Sequence, residues 1–462
     1  MRLGRILQQN LRYEDLQRIR ATNVHVSVNK ATLYRKPLAI RNASMQWMYD
    51  LNGKKYLDFF GGIVTVGVGH CHPKVNDALI QQINKVWHTT NIYYNEPFHA
   101  YAEKLASTLP GDLKTVYLVN SGSEANDLAL LMARVSTGNY DVIALRNGYH
   151  GMSPNTMGLT GHSTWKQNSP HYFGIHHAMN PDVYKGIWGG ESCRDSPVQT
   201  DRKCACSGGV CQAADKYVEQ LEEVLTYSVP QRKVAAMFIE SIQGVGGVVQ
   251  YPKGYVKKAQ DLIRKNGGVI ISDEVQTGFG RTGDHLWNFE SHGIIPDIVT
   301  MAKSIGNGFP MAAVVTTPKI AQSLANASHF NTFGGNPMAS AVGKAVLEVI
   351  EEEKLQQHCK TVGTYFLKEL EKFRAEFSNV GDVRGKGFMI GIEMVENKET
   401  RKQLALEKVL DIFEDLKDEG LLVGRGGHYG NVFRLSPPMC ATKADVDFAL
   451  PIFRKVFKKH AT

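Results

Sequence analysis

The segment Asp297-Ile298-Val299-Thr300-Met301-Ala302-Lys303-Ser304-Ile305-Gly306-Asn307-Gly308 decides the fold. The run Ile298 to Ala302 is apolar enough for a strand buried on both faces, as in a parallel sheet. Gly306 and Gly308 then end any regular element. The strand therefore delivers Lys303 into a glycine-rich loop. A lysine at a buried strand end is costly, because desolvation disfavours its charged form. Either its amine snorkels to water, or it is kept as a nucleophile that forms a Schiff base with an aldehyde cofactor.

A second segment, Gly267-Gly268-Val269-Ile270-Ile271-Ser272-Asp273-Glu274-Val275-Gln276-Thr277-Gly278, repeats the pattern with an acidic exit. Asp273 and Lys303 then end two strands, and ligands of open α/β sheets bind at that edge. Pyridoxal phosphate needs such a pair. The amine takes the aldehyde carbon, and the carboxylate keeps the pyridine nitrogen protonated so that the ring is an electron sink. Gln276 is placed to hydrogen-bond the ring's phenolic oxygen. In a third segment, Val116 to Asp127, a strand runs into Ser121-Gly122-Ser123 and then a helix with Leu128, Leu131, Met132 and Val135 on one face. Small residues there leave backbone N–H groups free for a phosphate. The alternative is an ordinary cap by Ser121 or Ser123.

These segments include Asn120-Ser121-Gly122-Ser123-Glu124-Ala125-Asn126, Asp273-Glu274-Val275-Gln276-Thr277-Gly278-Phe279-Gly280-Arg281 and Lys303-Ser304-Ile305-Gly306-Asn307-Gly308. With Gly148-Tyr149-His150-Gly151, they resemble the class III (ornithine-type) aminotransferases of PLP fold type I, from about Leu38 to the end. The resemblance implies an α/β fold: a large domain with a mostly parallel central sheet, and a smaller C-terminal α/β domain. It implies that Lys303 carries the cofactor and then acts as general base in a ping-pong reaction of amino acids and oxo acids. It implies Asp273 on the pyridine nitrogen, Gln276 on the ring oxygen, and Tyr149 stacked on the ring. Ser121, Gly122 and Ser123 would hold the phosphate, with His150 and Glu240 completing the cofactor pocket. Thr332, in Phe330-Asn331-Thr332-Phe333-Gly334-Gly335-Asn336-Pro337, would reach the phosphate of a neighbouring subunit. A homodimer or dimer of dimers is expected.

The chain has 462 residues, 43% of them hydrophobic, enough for two or three packed units. From Val116 to Pro318 strands alternate with helices: 115–119, 141–145, 235–240, 268–272, 297–301 and 312–316 are predicted strands, and crossovers of this length imply parallel pairing. The expected organisation is a basic N-terminal segment at 1–37, a β-meander of the small domain at 38–75, the large cofactor domain at 76–342, and the C-terminal small domain at 343–462 with strands at 387–393 and 431–435. The turn Asp50-Leu51-Asn52-Gly53 belongs to the meander. No run of eighteen apolar residues occurs, so no membrane span is expected. The net charge is +8, but Met1 to Lys36 holds eight basic residues against Glu14 and Asp15. The rest is nearly neutral, which argues against nucleic acid as a partner. The first thirteen residues contain arginines and no acid, with Leu3, Ile6, Leu7 and Leu11 at helical spacing. A frayed surface helix and a mitochondrial presequence remnant fit equally, and the family resemblance tips the expectation to the mitochondrial matrix.

Three patterns are discounted. Gly278-Phe279-Gly280-Arg281-Thr282-Gly283 matches a dinucleotide fingerprint, but Asp273 and Glu274 upstream would repel a pyrophosphate. His70-Cys71-His72 reads as a turn before a helix. The insert 192–211 carries Cys193, Cys204, Cys206 and Cys211, whose spacing is not that of a usual zinc finger or ribbon. A surface excursion with free thiols is expected there, and no metal.

Substrate choice rests on the resemblance. Arg434 matches the family arginine that grips a substrate carboxylate. Ornithine and 4-aminobutyrate enzymes shield it with a glutamate after Gln-Gly, where this chain has Val245. They also have a second arginine where Met152 stands, and ornithine enzymes a tyrosine where Ile63 stands. One clamp favours small monocarboxylates: alanine, glyoxylate, pyruvate and β-amino acids such as β-aminoisobutyrate. Arg425 would change this if it reached the pocket. The rivals are a phospho-lyase with the same cofactor motifs, an ornithine or ω-amino-acid aminotransferase, and a non-catalytic scaffold of the same fold. Glu240-Ser241 departs from the usual Glu-Pro.

Overall fold

A computed structural model describes residues 11–30, 34–171, 173–204, 206 and 211–461. The presequence expectation for residues 1–10 lies outside the described residues. The central sheet has seven strands: β4 (Thr115–Val119), β5 (Asp141–Leu145), β6 (Ile175–Ala178), β7 (Val234–Glu240), β8 (Val269–Asp273), β9 (Ile298–Met301) and β10 (Ala312–Thr316). Their order is β4-β10-β9-β8-β7-β5-β6, and only β10 runs antiparallel to its neighbours. The strands β4, β5, β7, β8 and β9 therefore all end at one edge. Strands β7 and β9 are buried at every position, as expected of a sheet covered on both faces.

Before it comes the meander: β1 (Ile40–Ser44), β2 (Trp47–Asp50) and β3 (Lys55–Asp58). Asp50 accepts from the amides of Asn52 and Lys54, and Gly53 turns the chain at φ +81°. β3 also pairs in parallel with β14 (Leu421–Leu422), so the meander joins the C-terminal part. There, β11 (Val380–Lys386), β12 (Met389–Asn397), β15 (Gly424–Gly426) and β16 (Val432–Leu435) form an antiparallel sheet, with the short β13 (Lys402–Gln403) on β12. Helices Leu355–Glu376, Leu406–Asp418 and Lys443–His460 pack with it. Among the described residues no helix is long and apolar enough to cross a membrane.

Four expectations are corrected. The helix Gly122–Thr137 does not bury Leu131 or Val135, which are exposed. Its inner stripe is Ala125, Leu128, Ala129, Met132 and Ala133, because alanines let the helix lie close on the sheet. Strand β6 was not expected, since His176 and His177 hide its pattern. His176 pairs with Asp141 at 2.7 Å. Strand β11 was not expected either, since Val380–Lys386 is buried throughout although it carries Asp382, Arg384 and Lys386. The strand expected from Gly387 begins two residues later, after a hairpin turn with Gly387 at φ +51°.

The insert 192–211 is not a loose excursion. Arg194 is wholly buried and grips Asp382 with two hydrogen bonds, at 2.7 and 3.1 Å. Asp382 also receives Arg384 at 3.1 Å, and Arg384 pairs with Glu393 at 2.8 Å. His70 and His72 go to separate partners, Asp58 and Glu353, ahead of the helix Pro73–Ile83. The glycine-rich run at 278–283 is all turn, with buried Arg281 donating to the Pro437 carbonyl. Removing one member of a buried ion pair strands the others. Asp382→Asn should therefore destabilise the fold by about 3–5 kcal/mol. Urea unfolding followed by fluorescence measures this, and a loss under about 1 kcal/mol, the range of a surface pair, would show that the cluster is not a structural anchor.

Candidate active site

The edge where these strands end holds a cavity of about 150 Å³. Ser121, Gly122 and Ser123 follow β4; Tyr149, His150 and Gly151 follow β5. Glu240 ends β7, Asp273 ends β8, and Lys303 follows β9; all line the cavity, with Gln276. One sheet edge thus gathers nearly every residue singled out from the sequence. Arg434 and Thr332 are the exceptions. Neither lines the cavity: Arg434 lies on β16 of the C-terminal sheet, and Thr332 is exposed on the loop before Asn336.

The carboxylate is fixed from three sides. Asp273 accepts from Asn126 Nδ2 at 2.8 Å, from His150 Nδ1 at 2.9 Å and from the Val275 amide at 3.1 Å. Asn126 also donates to the His150 carbonyl and accepts from Thr300 Oγ1. Burial works against a charge on His150, but the Asp273 hydrogen bond, the Asp273 charge and Glu240 outweigh it and raise its pKa. Glu240 is pushed up to about 7 by burial, and its oxygens accept from the amides of Tyr149 and Gly244. Glu240 thereby sets the backbone that carries Tyr149. The Tyr149 ring meets Trp165 edge-on at 5.3 Å.

Ser121 caps the helix Gly122–Thr137, accepting from the Glu124 amide, and Ser123 Oγ accepts from the Met152 amide. The cap and the phosphate reading are compatible, because the first-turn amides of Gly122 and Ser123 have no partner within a helix. Gly151, at φ +124°, leaves room for the Ser123 hydroxyl: a Cβ there would sit 2.4 Å from it.

Lys303 sits at φ +55°, an uncommon conformation for a side-chain-bearing residue. Burial pulls its amine down to about 8, with Arg434 adding to the effect and Asp273 and Glu240 opposing it. Arg434, on β16, is buried between glycine neighbours Gly391 and Gly424. A Cβ at Gly424 would strike the Phe60 ring at 2.1 Å, and one at Gly426 would strike Arg434 itself at 2.5 Å. Arg434 donates to Gln276 Oε1 at 2.6 Å, while its Nε has no partner. Arg425 pairs with Phe433, so it projects from the face of the strand opposite to Arg434. Ser241 donates to buried Glu274, which also accepts from Thr277 and from the amides of Asn288 and Phe289. The serine in place of proline thus helps hold the turn after β8.

Sequence reading missed Asn126, Trp165 and Phe60. Asn126 lay within a quoted motif, the fifth residue of the helix, and only the tertiary fold gives it Asp273.

The donor set fits pyridoxal phosphate: an anion-binding helix end, a hydrogen-bonded carboxylate and an amine of lowered pKa meet in one cavity. Fold and site together define a PLP-dependent transaminase-type enzyme. The chain belongs to the class III aminotransferase family, whose model matches residues 29–457. It is 55% identical over 453 residues to the Homo sapiens mitochondrial alanine–glyoxylate aminotransferase 2, covering 97% of this chain and 88% of that protein. Its fold is similar to an Arthrobacter phospholyase in complex with phosphoethanolamine, with a TM-score of 0.85, 32% identity, and 96% and 99% of the two chains covered. It is also similar to an amine transaminase from an uncultivated Pseudomonas species in its PLP-bound form, with a TM-score of 0.82, 28% identity, and 92% and 95% covered.

Only a neutral amine attacks an aldehyde. The rate at which cofactor-free protein binds pyridoxal phosphate covalently should therefore rise with pH with a midpoint near 8, followed by visible absorbance. A midpoint near 10.5, the ordinary lysine value, would show that burial does not prepare Lys303.

Proposed function

We propose that this enzyme moves an amino group from a small amino acid, alanine foremost and β-aminoisobutyrate second, to glyoxylate or pyruvate in two alternating half-reactions. The observation that carries this reading is Arg434. Its guanidinium is buried, bonded to Gln276, and has no carboxylate within ion-pair distance among the described residues. Burial lowers its pKa to about 10, with Glu240 opposing, so it stays charged at neutral pH. A buried cation without a counter-ion is costly, and a substrate carboxylate relieves that cost. Val245 offers no competing acid. A second substrate carboxylate would find no partner, since Arg425 projects from the other face and Met152 and Ile63 are apolar. This supports monocarboxylates over 2-oxoglutarate and over ornithine-type donors.

When bound, pyridoxal phosphate supplies an electron sink for the charge left on the substrate's α-carbon. The protein's part is positioning and proton transfer. Gly122 and Ser123 amides, at the positive end of a sixteen-residue helix, hold the phosphate. Asp273, steadied by Asn126 and His150, holds the pyridine N–H. Gln276 keeps its amide nitrogen for the ring oxygen, because Arg434 occupies its carbonyl oxygen. Tyr149 covers the ring face. The Lys303 amine would be the group that takes the proton from the substrate's α-carbon.

We further infer a homodimer or dimer of dimers in the mitochondrial matrix. Thr332 is exposed in the single chain, as a residue serving a neighbouring subunit would be. Around it Phe330 and Phe333 are exposed, His88 meets Phe333 at 5.4 Å, and Trp87, Ile92 and Tyr94 lie open nearby in sequence. So much exposed apolar surface suits an interface. The basic, acid-free N-terminus and the mitochondrial human relative support the compartment.

The test is a half-reaction screen on the PLP form with alanine, β-aminoisobutyrate, ornithine, 4-aminobutyrate and phosphoethanolamine, followed by addition of glyoxylate, pyruvate or 2-oxoglutarate. Conversion by alanine and return by glyoxylate are expected. Ammonia from phosphoethanolamine without amino transfer would establish the phospho-lyase instead. Arg434→Ala should lower kcat/KM for glyoxylate about ten- to hundred-fold, the worth of a hydrogen bond to a charged group. Unchanged glyoxylate kinetics would remove Arg434 from the site.

A further inference from the structure

We infer that Cys193, Cys204, Cys206 and Cys211 bind one zinc ion, which clips the insert 192–211 to the large domain. The sequence separates these residues, but the fold gathers them. Cys193 Sγ lies 3.3 Å from Cys204 Sγ and 3.6 Å from Cys206 Sγ, and the three sulfurs all fall within 4.8 Å of one another. Zn–S bonds of about 2.3 Å in a tetrahedron put sulfurs about 3.8 Å apart, so this trio already has close to the spacing of three zinc ligands. Cys211, at the cap of the helix from Gln212 and outside the trio, would have to swing in to supply the fourth sulfur.

Backbone amides point at two of the sulfurs. The Cys206 amide donates to Cys204 Sγ at 3.2 Å, and the Gln212 amide donates to Cys206 Sγ at 3.3 Å. Gln212 and Ala213 open the seventeen-residue helix Gln212–Ser228, whose positive end therefore faces the sulfurs. Such amide donors are the usual outer partners of metal-bound thiolates.

The insert also needs a staple. Between β6, ending at Ala178, and the helix from Gln212, the described residues form no helix or strand. Runs of this length inside a packed domain are uncommon without some tie. Arg202 donates to the carbonyls of Tyr184, Gly186 and Ile187, and Arg194 anchors the middle of the run on Asp382. A disulfide would join only two of the four thiols, whereas a soft, tetrahedral, redox-inert ion joins all of them. On binding, each thiol yields its proton to solvent and its sulfur donates a pair to the ion. Nothing is oxidised or reduced.

The test uses full-length, PLP-loaded protein purified under reductant without chelator. Elemental analysis should find one zinc per chain, and X-ray absorption a sulfur-only shell near about 2.3 Å. The double variant Cys204→Ser with Cys206→Ser should lose the zinc and keep the cofactor's absorbance, while Cys71→Ser, at an exposed thiol outside the insert, should keep both. Should the double variant not fold, release of zinc from the wild-type protein by a mercurial reagent, in step with four modified thiols, makes the same assignment. The proposal is overturned if reduced protein offered zinc chloride and then desalted is zinc-free. It is equally overturned if the bound zinc has only nitrogen and oxygen neighbours, if the double variant retains it, or if thiol trapping in cells finds a Cys193–Cys204 disulfide.

Discussion

The hydrogen bonds around Asp273 are the constraint on which the site depends. Asn126 reaches it from the helix Gly122–Thr137, His150 from the loop after β5, and Val275 from its own turn, while Thr300 of β9 secures Asn126. Four elements of the sheet edge are thus tied through one carboxylate. In a buried setting such a network is costly when incomplete and rigid when complete. Here every hydrogen-bonding group of Asn126's side chain is used. The cavity therefore takes its shape from a closed set of bonds, and the helix end meant for an anion is held at a fixed distance from the carboxylate meant for a cation.

Most of this arrangement was legible because strand ends carry their chemistry in local sequence. An apolar run that stops at Asp273 or Lys303 announces both a buried strand and a group delivered to its edge. Expected strands at 115–119, 141–145 and 312–316 match β4, β5 and β10; β7 and β9 differ by a residue at one end, and β8 is shifted by one residue. Where the pattern failed, charge had replaced apolar alternation. Strand β11 is buried because Asp382, Arg384 and Lys386 find opposite charges on other elements, a compensation that no local window contains. The helix face was misjudged for a related reason. Alanines that permit close approach carry little apolar signal, so the larger Leu131 and Val135 drew attention though they face outward.

Arg434 and Gln276 show how two halves of the chain share one task. Gln276 follows β8 of the large sheet, and Arg434 lies on β16 of the C-terminal sheet. Their 2.6 Å hydrogen bond fixes which end of the glutamine amide faces the cavity, since the oxygen is taken. A substrate carboxylate arriving at Arg434 would therefore meet a group already coupled to the cofactor side. That coupling makes the guanidinium more than a static clamp. An anion that draws on Arg434 competes with Gln276 for its donors, so substrate binding and the hydrogen bonding of the cofactor pocket are linked.

The cysteine-bearing insert is connected to the same region through charge. Arg194 grips Asp382, Asp382 holds Arg384, and Arg384 donates to the carbonyls of Gly247 and Val248. Those carbonyls belong to the turn that begins at Gly244 and Val245, whose own backbone borders Gln276 and Arg434. Loosening the insert would leave Arg194 free to withdraw, and Asp382 would then keep only Arg374 and Arg384. The insert's fold thus bears on the surroundings of Arg434 by position alone. The guanidinium is covered by Gln276 and the Phe60 ring, and the turn at Gly244 packs against that same Gln276, so the arginine's setting depends on that turn staying where it is.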